Sequence, residues 1–241
     1  MQELLAPLQN PSLKDVFIER FEELILSGQL KIGQKLPSER ELALQLGVSR
    51  PVVHNGLVDL EAKGLVTLIP RVGAVVNDYR REGSLALLNS LVTYQKGRLE
   101  TELQTSLLDV RRIFEVETAR LAALHREDAH LNALQEVLEE EMQIRREAVA
   151  RIAALDFRFH HLLTLASGNR IYPLLINSFK PVYLNLVAQF FQNPAVVKTV
   201  HAFHRKLFQA IDNRDEAAAV AVMQRMLLHG ADHLQKVSRT E

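Results

Sequence analysis

Apolar residues set the reading frame of this chain. Leu13, Val16, Phe17, Phe21, Leu24 and Ile25 recur at three- and four-residue spacing, which is the stripe of an amphipathic helix. Ser12 stands ahead of the stripe with Asp15 three residues on, a capping pair, and Ser27-Gly28 closes it. A turn-rich link runs from Gly28 to Leu36. Leu42, Ala43 and Leu46 then define a short helix near 38–46, capped by Ser38 with Glu41 and ended by Gly47. Ser49 is placed to cap the next helix, near 49–63, with Pro51 in its first turn and Gly64 after its end. The period then shortens. Leu65 to Ile69 and Ala74 to Val76 are β-branched runs separated by Pro70-Arg71-Val72-Gly73, the signature of a hairpin. Three helices followed by a two-stranded β-hairpin predict a winged helix-turn-helix.

From Ser84 onward strand signals cease. Helices are expected near 84–96, 98–125, 128–147, 149–166, 170–190, 193–213 and 215–236, with turns at Gly168-Asn169 and Asn213-Arg214-Asp215. The fold class is mainly α. We expect a winged helix-turn-helix DNA-binding domain over 10–77, a polar linker over 78–83, and an all-α helical-bundle domain over 84–241 that binds an effector and dimerises; residues 1–10 read as a loose arm.

Composition narrows the classes. The 241 residues contain no cysteine, which excludes disulfide scaffolds, zinc-thiolate fingers and thiol nucleophiles. No apolar run approaches the roughly 18 residues of a membrane span. With no signal-peptide pattern at its start, the chain is expected to be cytoplasmic, without a membrane partner. Net charge is zero, and residues 1–80 carry nine Lys/Arg against ten Asp/Glu. Placement therefore matters more than balance. Arg40, Arg50, Lys63 and Arg71 fall at helix starts and turns that can face phosphates, while the acids at 15, 19, 22 and 23 belong to the first helix and are expected to face away. The first turn of a helix-turn-helix second helix is where base edges are met, and here it begins at Arg50. Double-stranded DNA is the expected partner.

These residues carry a resemblance. Leu36-Pro-Ser-Glu-Arg-Glu-Leu-Ala43, Gly47-Val-Ser-Arg50, Leu60-Glu-Ala-Lys-Gly-Leu-Val66 and the wing with Gly73 resemble the GntR family of bacterial transcription regulators. Leu107 to Glu115, Asp156-Phe-Arg-Phe-His160 leading to Ala166-Ser-Gly-Asn169, and Phe203 to Ile211 are similar to the all-helical ligand-sensing domain of its FadR subgroup. The resemblance implies a homodimer. Two recognition helices would enter the major groove of a short inverted repeat, with wing tips toward the minor groove. It implies DNA contacts at Arg40, Ser49 and Arg50, and at Arg71 and Gly73 of the wing. Where the family often has Arg-Glu this chain has His54-Asn55, and a His is a shorter, weaker phosphate partner near neutral pH.

The second domain offers three kinds of chemistry. Of Arg111 and Arg112, set mid-helix among Leu107, Leu108, Val110, Ile113 and Phe114, one must approach the interior. Either it pairs with Glu115 or another acid, or it clamps an effector carboxylate or phosphate, for which a guanidinium fork is suited; the resemblance favours Arg111. Asp156 and His160 share one helix face, and His204 lies on a later helix. The resemblance implies a divalent metal such as Zn, Ni or Mn on such residues, completed by a later His. That position, 22 residues past His204, is Met226, and a thioether is a poor ligand for these ions. His229, one turn further on, points about 60° away. His161, His201 and His233 read as surface or satisfied histidines. The stretch from Ser167 to Tyr183 and Phe190-Phe191-Gln-Asn-Pro194 is similar to the acyl-CoA-sensing branch. Tyr172, Tyr183, Phe190 and Phe203 would then line an apolar cavity; the bland reading is ordinary core packing.

A regulator answering to an organic acid, or to an acyl-CoA, is the expected function. The opposing readings are a hydrolytic enzyme using a metal on Asp156, His160 and His204, and a constitutive architectural DNA binder. A metal constellation alone establishes no reaction, and an architectural protein has no need of a hollow helical domain. No catalytic residue is expected.

Overall fold

The structure, a computed structural model, describes residues 12–94, 100–145 and 147–239, with side chains of the last helix described to Leu234. The expected arm at 1–10 lies outside the described residues. The chain forms two compact units, Met1–Arg98 and Leu99–Glu241.

The first unit opens with α1 (Leu13–Leu26), α2 (Glu39–Leu46) and α3 (Arg50–Ala62), followed by the hairpin β1 (Val66–Ile69) and β2 (Gly73–Val76). Both expected capping boxes form: Ser12 with Asp15 and Ser38 with Glu41 each satisfy the other's backbone N–H. Gly47 takes the left-handed conformation that ends α2, with φ of 66°. The strands pair antiparallel from Val66↔Val76 to Ile69↔Gly73. The link before Leu36 is more ordered than its composition suggests. Gly33 and Leu36 donate N–H bonds to Val76 and Ala74, and Lys35 bridges Val75, so it lines the free edge of β2. Phe17, Phe21, Leu36, Leu42, Val53, Leu57, Leu60, Leu65 and Val76 make the core.

Three differences from the sequence reading appear here. The expected linker holds a one-turn helix, α4 (Tyr79–Glu82), and α5 (Leu87–Tyr94) belongs to the first unit rather than opening the second. Leu87 completes the core beside α1, and Ser90 donates a hydrogen bond of 2.7 Å to Glu22. Glu22 also differs. It does not face away but is buried, accepting from Lys63 as well as Ser90. Residue 22 sits on the stripe of Ile18, Phe21 and Ile25.

The second unit contains α6 (Thr101–His125), α7 (Asp128–Gln143), α8 (Val149–Ala166), α9 (Tyr172–Phe191), α10 (Pro194–Asp212) and α11 (Glu216–Arg239). No strand occurs among its described residues. Helix α7 stops at Gln143, short of the expected 147. Helix α8 is central: Leu155, Phe159 and Leu163 face a core shared with α6, α7, α10 and α11, while Ile152, Ala153 and Phe157 face α9. A helix buried on two sides can carry polar residues inward, and α8 brings Asp156 and His160 into the interior. No helix among the described residues is long and apolar enough to cross a membrane.

Candidate functional site

In the first unit the apolar residues Val53, Leu57 and Leu60, with Gly56, turn one face of α3 inward. The opposite face presents Arg50, Pro51, His54 and Asn55, all exposed. Arg40, Arg50, His54, Arg71 and Gly73 line one open groove between the two short helices and the wing. Glu39 spans the turn, with one carboxylate oxygen 2.8 Å from His54 Nδ1 and the other 3.5 Å from an Arg50 Nη atom.

The wing tip is a tight turn. Val72 donates its N–H to the carbonyl of Ile69 at 3.0 Å, with Pro70 and Arg71 between. Arg71 has φ of 65°, the left-handed value that position i+2 of a type II turn requires and that normally selects Gly or Asn. A charged residue is held there at a steric cost.

Ser49 corrects one expectation. It occupies the N-cap of α3 with extended backbone, but its side chain makes no capping hydrogen bond. Pro51 has no N–H to offer an N-cap hydroxyl. Val52 and Val53 instead reach the Ser49 carbonyl, and the hydroxyl is left at the surface. Ser49 does not line the groove.

In the second unit a cavity of about 190 Å³ lies among α6, α8, α9, α10 and α11. Arg111, Arg112 and Asp156 bring charge to it and His160 an imidazole; Val187, Phe190, Val200 and Met226 supply apolar wall. Arg111 Nε donates to Glu115 at 2.5 Å and Nη2 to the Tyr183 hydroxyl at 3.3 Å. The guanidinium carbon lies 4.4 Å from the Tyr183 ring centre. Tyr183 in turn donates to Asp156 Oδ2 at 2.6 Å. Arg111 thus pairs with Glu115, as one reading expected, and also lines the cavity.

Behind Asp156 stand two histidines, each backed by a carboxylate. His204 Nδ1 is 2.6 Å from Glu141. His160 Nδ1 is 2.5 Å from Glu115 Oε2 but out of line for a hydrogen bond. His204 Nε2 is buried without a hydrogen-bond partner, 3.6 Å from Asp156 Oδ1. Phe159 stacks on the His204 ring at 4.0 Å. Asp156, His160 and His204 each offer a donor atom, all within 4.8 Å of one another.

Electrostatics follow from burial against these neighbours. Burial works to raise the Glu115 carboxyl, but Arg111 and His160 overcome it and hold it down to about 2. Burial opposes the charge on Arg111, yet Glu115, Tyr183 and Asp156 leave it more firmly protonated than usual. His204 is raised despite burial, because Glu141, Asp156 and Glu115 surround it. Burial first, then Asp156, pushes the Tyr183 hydroxyl well above its ordinary 10.0.

The remaining expected pocket residues divide. Phe190 lines the cavity. Tyr183 borders it only through Arg111 and Asp156, and itself lines a small apolar pocket between α6 and α9. Tyr172 meets Phe114 edge-on, and Phe203 packs against the larger core; neither lines the cavity. His229 packs with Phe190, Phe203 and His233 and is not among the cavity residues. Glu141 was not singled out in the sequence. Its signal was there: it follows Leu134, Val137 and Leu138 at helical spacing, on the buried stripe of α7.

Comparison with known proteins bears on both units. Residues 14–76 match the model for bacterial regulatory proteins of the gntR family, and residues 106–229 match the FCD domain. The HTH-type transcriptional regulator Mce2R of Mycobacterium tuberculosis is 30% identical over 223 residues, 92% of each chain. The regulator LutR of Bacillus subtilis is 29% identical over 205 residues, covering 83% of this chain and 91% of its own. The fatty acid metabolism regulator protein of Yersinia pestis is 30% identical over 190 residues, covering 79% and 77%. Among solved structures, Lar of Listeria monocytogenes superposes with a TM-score of 0.60 at 15% identity, covering 95% of this chain and 99% of its own, which is a likeness of fold.

Proposed function

The chain belongs to the GntR family of bacterial transcriptional regulators, with an FCD domain as its second part, and on that premise we propose that a small organic acid bound in the 190 Å³ cavity tunes how it holds DNA. The observation that carries this reading is Arg111, a half-buried, firmly charged guanidinium lining a mostly apolar cavity. A fork of that kind recognises a carboxylate in two hydrogen bonds. The apolar wall from Val187, Phe190 and Val200 would take the rest of a short acid. A long acyl chain is less well served, because Tyr172 and Phe203 are turned elsewhere.

The donor set beside it fits a divalent metal. Three donors converge, His204 presents an orphaned Nε2, and Glu141 holds its other ring nitrogen, the arrangement usual behind a metal-bound imidazole. Asp156, His160 and His204 would hold the ion, and it would supply an electrophilic anchor for an effector carboxylate. Met226 shares the cavity wall but offers only a weak thioether donor.

Two copies would read an inverted repeat, with α3 in the major groove and Arg71 of the wing nearer the minor groove. Arg50 and Arg40 would supply the charge-assisted contacts. An effector then changes DNA affinity only through its differential affinity for the two arrangements of the reading heads, typically about 1–3 kcal/mol.

A thermal-shift screen of short organic acids and acyl-CoAs, with and without chelator, tests this. A short acid should raise the melting temperature and shift operator binding, and Arg111→Lys, which keeps the charge but loses the fork, should abolish both responses while sparing DNA binding. Stabilisation by acyl-CoAs alone, or an unaltered response in Arg111→Lys, would reverse the assignment. Arg50→Ala and Arg40→Ala should each abolish specific duplex binding with no change in melting.

A further inference from the structure

Glu39 opens α2, and its half-buried carboxylate reaches two residues of α3. Oε1 lies 2.8 Å from His54 Nδ1, and Oε2 lies 3.5 Å from Arg50 Nη2. Amide dipoles at a helix start favour a negative charge there. The hydrogen bond from His54, with further help from Arg50, holds the Glu39 carboxyl below its ordinary range. An ionised carboxylate only accepts hydrogen bonds, so the proton between the two residues sits on His54 Nδ1. The ring's other nitrogen, Nε2, is then the one free to meet a third party. His54 is exposed over 55% of its side chain, and it stands one turn after Arg50 on the same helix face.

We propose that His54 reads a base through Nε2, and that Glu39 is the positioning residue that fixes its tautomer. A neutral ring held in this way presents an acceptor. In the major groove that fits the amino donors of adenine N6 or cytosine N4. An arginine at the same place would present donors instead and fit guanine O6 and N7. The charged groups facing His54 are Glu39 from α2 and Arg50 from α3; Lys35, Arg40, Glu41 and Arg71 line the same groove. The inference rests on α3 being the helix that enters the groove.

Selection from a randomised duplex library by the full-length protein tests it, with wild type, His54→Arg and Glu39→Gln compared under one condition. Wild type should enrich adenine or cytosine at one position per half-site, by about five- to tenfold, the worth of one base-edge hydrogen bond. His54→Arg should select guanine there. Glu39→Gln should reduce the preference there to below about twofold, leaving the other positions unchanged. All three proteins should stay folded and melt within a few degrees of one another, since neither side chain belongs to the core. The same motif from wild type and His54→Arg would overturn the proposal, as would a uniform loss of affinity on every sequence, which marks a phosphate contact. A wild type that enriches no motif would overturn the placement of α3 along with it.

Discussion

Three buried carboxylates carry much of this protein's organisation, and each lies on the apolar stripe of its helix. Glu22 accepts from Lys63 and Ser90, Glu115 binds Arg111, and Glu141 binds His204. A charge placed on a buried stripe is expensive unless partnered, so such positions announce a partner without naming it. The Glu141–His204 pair gives a pH prediction for chelated protein. His204 is raised above its ordinary 6.5, so its contribution is complete below 6.5 and fades as pH rises through the raised value. Glu141 is lowered below 4.5, so its contribution is complete above 4.5 and fades as pH falls through the lowered value. Melting temperature should therefore peak between the two. Glu141→Gln should weaken the alkaline decline, leaving the part due to Asp156 and Glu115, and cost about 1.5–3 kcal/mol within the window, the net worth of a hydrogen bond to a charged group. An unchanged profile would separate the pair from stability.

Element by element, local signals and packing agree in the reading head. The two capping boxes, the left-handed Gly47 and the change from helical to strand period were all readable, because each is a short-range matter of backbone donors and sterics. Ser49 was not, because its capping role was lost to a Pro two residues on. Packing of α1 on α3 depends on Gly56, where an added Cβ would collide with the Phe17 ring. Gly56→Ala gains about 1 kcal/mol of helix propensity. Overpacking a close helix contact costs about 1–3 kcal/mol, and the obstacle here is a ring wedged in the core rather than a flexible tip. We expect a net loss of stability by thermal melting and weakened DNA binding, as α3 is pushed off α1. A stabilised variant would show that the two helices do not approach so closely.

At the scale of the molecule, each unit has its own apolar core. The first core is not closed at the expected linker. Leu87 and Ser90 on α5 contribute to it after residue 83. A fragment of residues 1–94 should therefore melt cooperatively and at a higher temperature than one of residues 1–83, and both should bind duplex weakly beside the full chain. Equal melting of the two fragments would place α5 outside the first unit's stability. The linker expectation failed because α5 carries a helical pattern like those after it, and periodicity cannot say which core a helix joins.

The sequence by itself determined the class of each element, the winged reading head and the helical second unit, and it singled out Arg111, Asp156, His160 and Phe190, which line the cavity, because propensity, capping and periodicity act within a few residues. Only the tertiary structure decided which charges meet: that Glu141 stands behind His204, that Tyr183 joins Arg111 to Asp156, and that Glu39 holds His54. Those contacts join residues 15 to 72 positions apart. Their energies depend on burial and distance, which the linear order of side chains does not contain.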